Sequence, residues 1–308
     1  MTDERGIHRQ PRRRAWLRIF GTGLLLWVLT VVVTFATGNP NLVPTLVLLG
    51  SFLVPVTFVA WAFERRHSGE VTAELLLTTF ITGGVLGVLG ASLLETYLLH
   101  PSAGLFLGVG LVEEAVKLGA LIVLTRRLAR KSALDGMILG AAVGFGFAAF
   151  ESAGYAFTAL FTEQGLSLVD LVQTEILRGL LAPVGHGLWT AILGGVLFSA
   201  SDHRHFAFSR RLLLSYLGVS LLHALWDSMH GIALALTLLL TGTPRQFQLL
   251  EQGYQPRPTP LQVNLFTALS WGGLAVLAVV GVVWLAAERR IASRAERSAV
   301  FWRMPTTG

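Results

Sequence analysis

Seven side chains with acid–base or metal-binding chemistry fall within long apolar runs: Glu113, Glu114, Lys117, Glu151, His186, His223 and Asp227. An ionisable group inside a membrane span is costly unless it is paired or faces a polar cavity, which makes each a functional candidate. Glu113-Glu114-Ala-Val-Lys117 sets one acid at i,i+4 and the other at i,i+3 from the same lysine on a helix. One lysine neutralises one carboxylate, and two adjacent carboxylates in low dielectric require a further cation, proton or metal. A self-neutralised pair that only eases insertion therefore explains one glutamate and leaves the other for general-base work on water.

His223-Ala-Leu-Trp-Asp227 has the spacing by which two ligands on one helix grip a single ion, and equally that of a histidine oriented by its own helix's aspartate. His186 follows Pro183 at the start of an apolar run and, taken alone, reads as either a ligand or a satisfied buried histidine. His230, seven residues beyond His223, is a supporting candidate near the same face. Lys117 reads as charge balance, and Phe147 of Phe147-Ala-Ala-Phe-Glu151 as packing. His8, His67, His100, His203 and His205 lie in tails or loops and receive no role, while Glu74 and Glu95 sit close enough to span ends to reach the interface.

The elements that must position these groups are membrane helices. Of 308 residues, 53% are hydrophobic and 14% charged, against about 25% charged in soluble domains, which rules out an ordinary globule. Apolar runs predict spans near 17–37, 42–63, 73–99, 104–125, 134–161, 183–201, 211–241 and 262–287. The fold class is thus all-α, a polytopic transmembrane helical bundle of about eight spans. A basic tail occupies 1–16, the transmembrane domain 17–287 with its motif-bearing core at 104–241, and a second basic tail 288–308. Of the 24 basic residues, 20 fall on one side; Arg178, Arg245 and Arg257 fall on the other, and Lys117 lies inside a span. The positive-inside rule then makes both termini cytoplasmic, and the net charge of +6 reflects orientation and not nucleic-acid binding.

With no cysteine, any metal must rest on histidine and carboxylate. The first run follows a basic segment, as a signal peptide would, but reaches Gly38-Asn39-Pro40 without a small-residue cleavage signal and reads as a retained helix. Trp16, Trp61, Trp284 and Trp302 read as interfacial anchors. In the outer segment Thr162–Pro183, Leu166, Val169, Val172, Ile176 and Leu180 recur at helical spacing and predict an interfacial helix; Tyr254–Pro260 reads as a stiff loop. At 1.5 Å per residue, Glu113 lies ~14 Å, Glu151 ~15 Å and His186 ~5 Å from the outer ends of their spans. Asp227 and His223 lie ~21 Å and ~27 Å from the nominal end of a span long enough to tilt or to emerge early. Four helices can therefore bring these groups to one level in the outer half of the bilayer.

In this order on four successive helices, Glu113-Glu114-x-x-Lys117, Phe147-x-x-x-Glu151, His186 preceded by Arg178 and Pro183, and His223-x-x-x-Asp227 resemble the motifs of the PrsW family of intramembrane proteases. That family belongs to the wider group that includes the CAAX prenyl proteases. The resemblance covers roughly residues 75–240, with one departure: Glu151 stands where CAAX-type enzymes have histidine. It implies a hydrolase of the bacterial plasma membrane that cuts a single-pass, membrane-anchored protein, typically an anti-sigma factor, with the lipid bilayer as its medium. Two mechanisms follow from it. In one, His186 and His223 with Glu151 or Asp227 hold zinc while Glu113 or Glu114 takes a proton from its water. In the other, no metal is used; Glu113 or Glu114 activates water directly, the two histidines bind the oxyanion, and Asp227 orients His223. The rival from another class is a proton-coupled membrane transporter, because buried Glu, Lys, His and Asp also build proton relays. A non-catalytic scaffold or receptor does not account for four converging polar motifs.

Overall fold

In lipid the backbone must satisfy its own hydrogen bonds, so long apolar runs become helices, and polar caps mark where they begin. The computed structural model describes residues 14–66, 69–102, 104–201 and 205–301, with side chains placed up to residue 295. His8, His67, His203, Trp302 and most of the two basic tails lie outside them. The helices are α1 (Ala15–Thr37), α2 (Val43–Phe63), α3 (Ala73–Leu98), α4 (Leu105–Thr125), α5 (Ala133–Ala159), α6 (Leu168–Leu181), α7 (His186–Ala200), α8 (Arg210–Thr241), α9 (Pro244–Glu251) and α10 (Pro260–Phe301). Thr72, Ser132, Ser167, Ser209 and Thr243 each accept a first-turn backbone N–H and so fix the starts of α3, α5, α6, α8 and α9.

Seven stretches among the described residues are long and apolar enough to cross a membrane, against the eight read from the sequence. The difference is α4, whose 21 residues include Glu113, Glu114 and Lys117. The segment read as an interfacial helix is α6, preceded by a two-residue antiparallel pairing of Phe161–Thr162 with Gly165–Leu166. A 3₁₀ turn at Ala182–Val184, where Pro183 interrupts the α-helical ladder, joins it to α7. α6 and α7 together form a single candidate span, Leu168–Ala200, in place of the separate run at 183–201. α9, capped by a reciprocal Thr243–Gln246 box, precedes the Tyr254–Pro260 loop.

α5 and α7 form the centre, and nearly every residue of α7 is buried. Their close approach depends on glycine: a Cβ at Gly140 would overlap the Thr190 carbonyl, and one at Gly144 the His186 carbonyl. Small residues let membrane helices touch backbone to backbone, where van der Waals contact replaces the hydrophobic drive that lipid abolishes. α4 lies against α3 on one side and α8 on the other. Gly110 of α4 sits against the Ser220 carbonyl of α8, and Tyr216 donates to the Leu111 carbonyl at 2.7 Å. Several basic segments share one end of the bundle: Glu64 accepts the Ala15 N–H at 2.7 Å, Lys131 Nζ lies 4.9 Å from the Phe206 ring centre, and Arg211 pairs with Glu288.

Candidate active site

α4, α5, α7 and α8 all deliver polar groups to a common point. Glu113 and Glu114 leave α4 on adjacent positions, 5% and 0% exposed, with Lys117 fully buried one turn on. Lys117 Nζ lies 2.6 Å from Glu114 Oε1, 3.3 Å from Glu113 Oε2 and 2.9 Å from His186 Nδ1. The lysine therefore bridges both carboxylates and reaches across to α7. Its ammonium also sits 4.3 Å from the centre of the Phe147 ring, which packs 5.1 Å from His186. Phe147 thus supplies a π face to a desolvated cation as well as packing.

His186 engages both ring nitrogens. An ammonium can only donate, so Nδ1 accepts from Lys117 and Nε2–H donates to Glu151 Oε2 at 3.2 Å. The same Glu151 oxygen also takes the Arg178 guanidinium, which donates in addition to Ser152 Oγ at 2.7 Å and lies over the Tyr155 ring. His223, 1% exposed, places Nδ1 3.0 Å from Glu114 Oε1, and its Nε2 lies 3.6 Å from Glu113 Oε2 and 3.3 Å from Asp227 Oδ2. The two imidazoles meet edge to face with centres 4.9 Å apart, and Trp189 packs on both.

Glu113, His186 and His223 each offer one ligand atom, and the three atoms lie within 4.8 Å of one another. This is the group among the described residues able to hold a metal ion, and it draws its carboxylate from Glu113. Of the carboxylates expected as third ligand, Glu151 accepts from His186 Nε2, and Asp227 Oδ2 lies 3.3 Å from His223 Nε2, beside Glu113. The donor set fits a divalent ion on two counts. Each imidazole has its other nitrogen on a carboxylate, Glu151 for His186 and Glu114 for His223, the arrangement that orients metal-bound histidines. Around the rings, Glu113, Glu114, Glu151 and Asp227 also outnumber the cations Lys117 and Arg178 by two charges.

A cavity of about 460 Å³ opens onto this group, lined by segments from α3 to α8. Glu113, Glu151, His186 and Asp227 reach it; Glu114 is not among its lining residues. Of the adjacent pair, Glu113 thus reaches the cavity, whereas Glu114 is fully buried away from it. His230 is exposed with its ring 6.1 Å from that of Phe266 on α10, and it too is absent from the cavity wall.

Arg178 and Trp189 belong to the site but were not picked out as site residues from sequence, and Glu95 of α3 also lines the cavity. In the sequence Arg178 stands as a charge of the outer side and as part of the motif ahead of His186, without a role of its own; its further signal is its place three residues after the buried Glu175 on α6. Neither the comparison with curated proteins nor that with solved structures returns a match. The family model described as PrsW family intramembrane metalloprotease matches residues 71–249, which contain every polar group just described. Matched over more than half of its length by that family model, and carrying the motif residues in one buried constellation, the chain belongs to the PrsW family of intramembrane metalloproteases.

Proposed function

We propose that this membrane protease is an endopeptidase that hydrolyses a peptide bond of a single-pass protein within the bilayer, with zinc held by Glu113, His186 and His223. The observation that supports this reading is the environment of His223. A neutral imidazole has one N–H. With Nδ1 donating to Glu114, Nε2 turns a lone pair toward the carboxylates of Glu113 and Asp227, which only a cation or a proton can relieve. When bound, zinc supplies a Lewis acid and lowers the pKa of its water to near neutrality.

The chain's own residues perform the remaining steps. Glu114 and Glu151 fix the two rings from behind. Asp227, part-exposed on the cavity wall with its Oδ2 3.3 Å from His223 Nε2, would accept the proton of the attacking water and return it to the leaving amine. Phe147 and Trp189 keep the buried side dry, which strengthens every charge interaction there. The substrate class is a membrane-anchored protein such as an anti-sigma factor in the bacterial plasma membrane. The basic end of the bundle, by the positive-inside rule, faces the cytoplasm together with both termini, and cleavage takes place in the outer half of the bilayer.

A second reading rests on Lys117. Its ammonium lies close to two of the three ligand atoms, 2.9 Å from His186 Nδ1 and 3.3 Å from Glu113 Oε2, and already supplies positive charge there. In that version no metal is needed. Glu113 takes the proton of water, and a protonated His223 between Glu114 and Asp227 stabilises the oxyanion.

Co-expression with a single-pass reporter tests the protease itself. A shortened reporter is expected, and its loss by at least about 1,000-fold with Glu113→Gln, at unchanged membrane level of the protein. Continued cleavage by any two of Glu113→Ala, His186→Ala and His223→Ala would remove the site assignment. An intact reporter accompanied by proton-coupled solute flux would give the transporter instead. Elemental analysis separates the two mechanisms: zinc near one per chain, lost in His186→Ala, supports the first, whereas full activity of metal-depleted enzyme establishes the second.

A further inference from the structure

Glu95 lies on the face of α3 that the cavity exposes, together with Val88, Ala91 and Ser92. Its Oε1 is buried and has no hydrogen-bond partner. The site's cations are committed elsewhere: Lys117 to Glu113, Glu114 and His186, and Arg178 to Glu151, Ser152 and the Tyr155 ring. A buried acceptor without a donor is expensive, and a carboxylate more so than a neutral group. A carboxylate oxygen left open on the wall of a reaction cavity is therefore suited to a donor that arrives with the substrate.

Position identifies which part of the substrate that is. α3 ends at Leu98 and α4 begins at Leu105, joined by a short connection. Counted from these neighbouring ends at 1.5 Å per residue, Glu95 lies ~4.5 Å and Glu113 ~12 Å deep, an offset of ~7 Å. A peptide must leave the helix to present its carbonyl for attack, and an extended chain advances about 3.3 Å per residue. Glu95 thus stands about two residues from the bond being cut, toward the α3–α4 connection. That distance is too great for the leaving amine and right for a neighbouring side chain.

We infer that Glu95 is a specificity-determining residue: it receives a lysine or arginine side chain of the substrate about two residues from the scissile bond, on the side of the α3–α4 connection. The inference deepens the protease reading and rests on it for the term scissile bond, while the subsite itself is measurable without turnover. A charge-assisted hydrogen bond in a partly desolvated cavity is among the stronger polar contacts, and it gives the subsite its discrimination.

The test uses the full-length protein in detergent, first by binding. Fluorescent peptides spanning the outer membrane-proximal segment of the cleaved reporter, with Lys, Gln or Glu scanned along the sequence, are titrated against the Glu113→Gln protein. At one position Lys is expected to bind on the order of tenfold tighter than Gln, and Glu weaker still. Adding Glu95→Gln should flatten that preference to near unity, and Glu95→Lys should reverse it. Equal affinities for all three peptides, or an unchanged Lys preference with Glu95→Gln, would overturn the subsite. In the cleavage assay, Glu95→Gln in the otherwise native enzyme should lower kcat/KM for the Lys reporter about tenfold and leave that for the Gln reporter in place. Binding preference that depends on Glu95, with no reporter cleaved, would keep the subsite and sink the protease reading; Glu113-dependent cleavage indifferent to Glu95 would do the reverse.

Discussion

The two walls of the site hold the same pair of histidines but differ in what lies behind them. On the dry wall, Glu114 and Lys117 are fully buried and in mutual contact, and neither lines the cavity. On the wet wall, Glu151 partners His186, Asp227 lies against His223 and Arg178 holds Glu151, yet all three are open to the cavity. Glu113 sits on the boundary, pairing with Lys117 behind while reaching the cavity in front. The difference teaches that charge does two jobs here. A buried pair carries a structural debt that must always be balanced, whereas a charge with access to water can change its partner during a reaction cycle.

Mutations should separate the walls, the largest effect coming from the dry one. Lys117→Met leaves Glu114 uncompensated and is expected to destabilise the folded protein by about 3–5 kcal/mol. The double variant Glu114→Gln/Lys117→Met should recover much of that loss. Thermal unfolding in detergent reads both, and a double variant no more stable than Lys117→Met would break the comparison. Next comes Gly144→Val, whose side chain cannot fit against the His186 carbonyl. It should shift α7 enough to reduce cleavage on the order of 100-fold, because a misplacement of about 1 Å costs that much at a catalytic group. The smallest effect belongs to the wet wall: Asp227→Asn should leave the melting temperature nearly unchanged and lower kcat by about 10²-fold, the ordinary worth of a general acid–base group. An unfolded Asp227→Asn protein would show that its wall is structural after all.

Much of this site was legible because transmembrane charge is scarce. The depth of Glu113, Glu151, His186, His223 and Asp227 was enough to predict that they meet, and they do. The i,i+3 and i,i+4 spacings gave both contacts of Lys117. They could not tell which of two adjacent glutamates faces water, since that depends on where α3 and α8 lie around α4. The third-ligand choice went to Glu151 and Asp227 for a related reason: spacing along one helix reports neighbours on that helix, while Glu113 approaches His186 and His223 from another. Arg178 is named in the motif ahead of His186, but the apolar spacing of its segment suited an interface and gave it no role. In the fold, Leu171 and Glu175 of that helix are buried, while Leu166, Val169, Ile176 and Leu180 point outward. Glu95 was set aside as close enough to the membrane surface to escape it. Nearness to a helix end says nothing about which side of the helix a residue occupies.

The three charges of α4 bear on how the protein is made. A lone Glu or Lys at the middle of an inserting helix costs roughly 2.5–3.5 kcal/mol on the scale set by the translocation machinery. α4 leaves the ribosome about a hundred residues ahead of the α8 segment that carries His223. Until then Lys117 is the partner that both glutamates already have, one turn away on the same chain. The pair lets a helix too polar to enter lipid on its own wait there as a nearly neutral rod. The surplus carboxylate, Glu113, meets His186 and His223 only when α7 and α8 close around it.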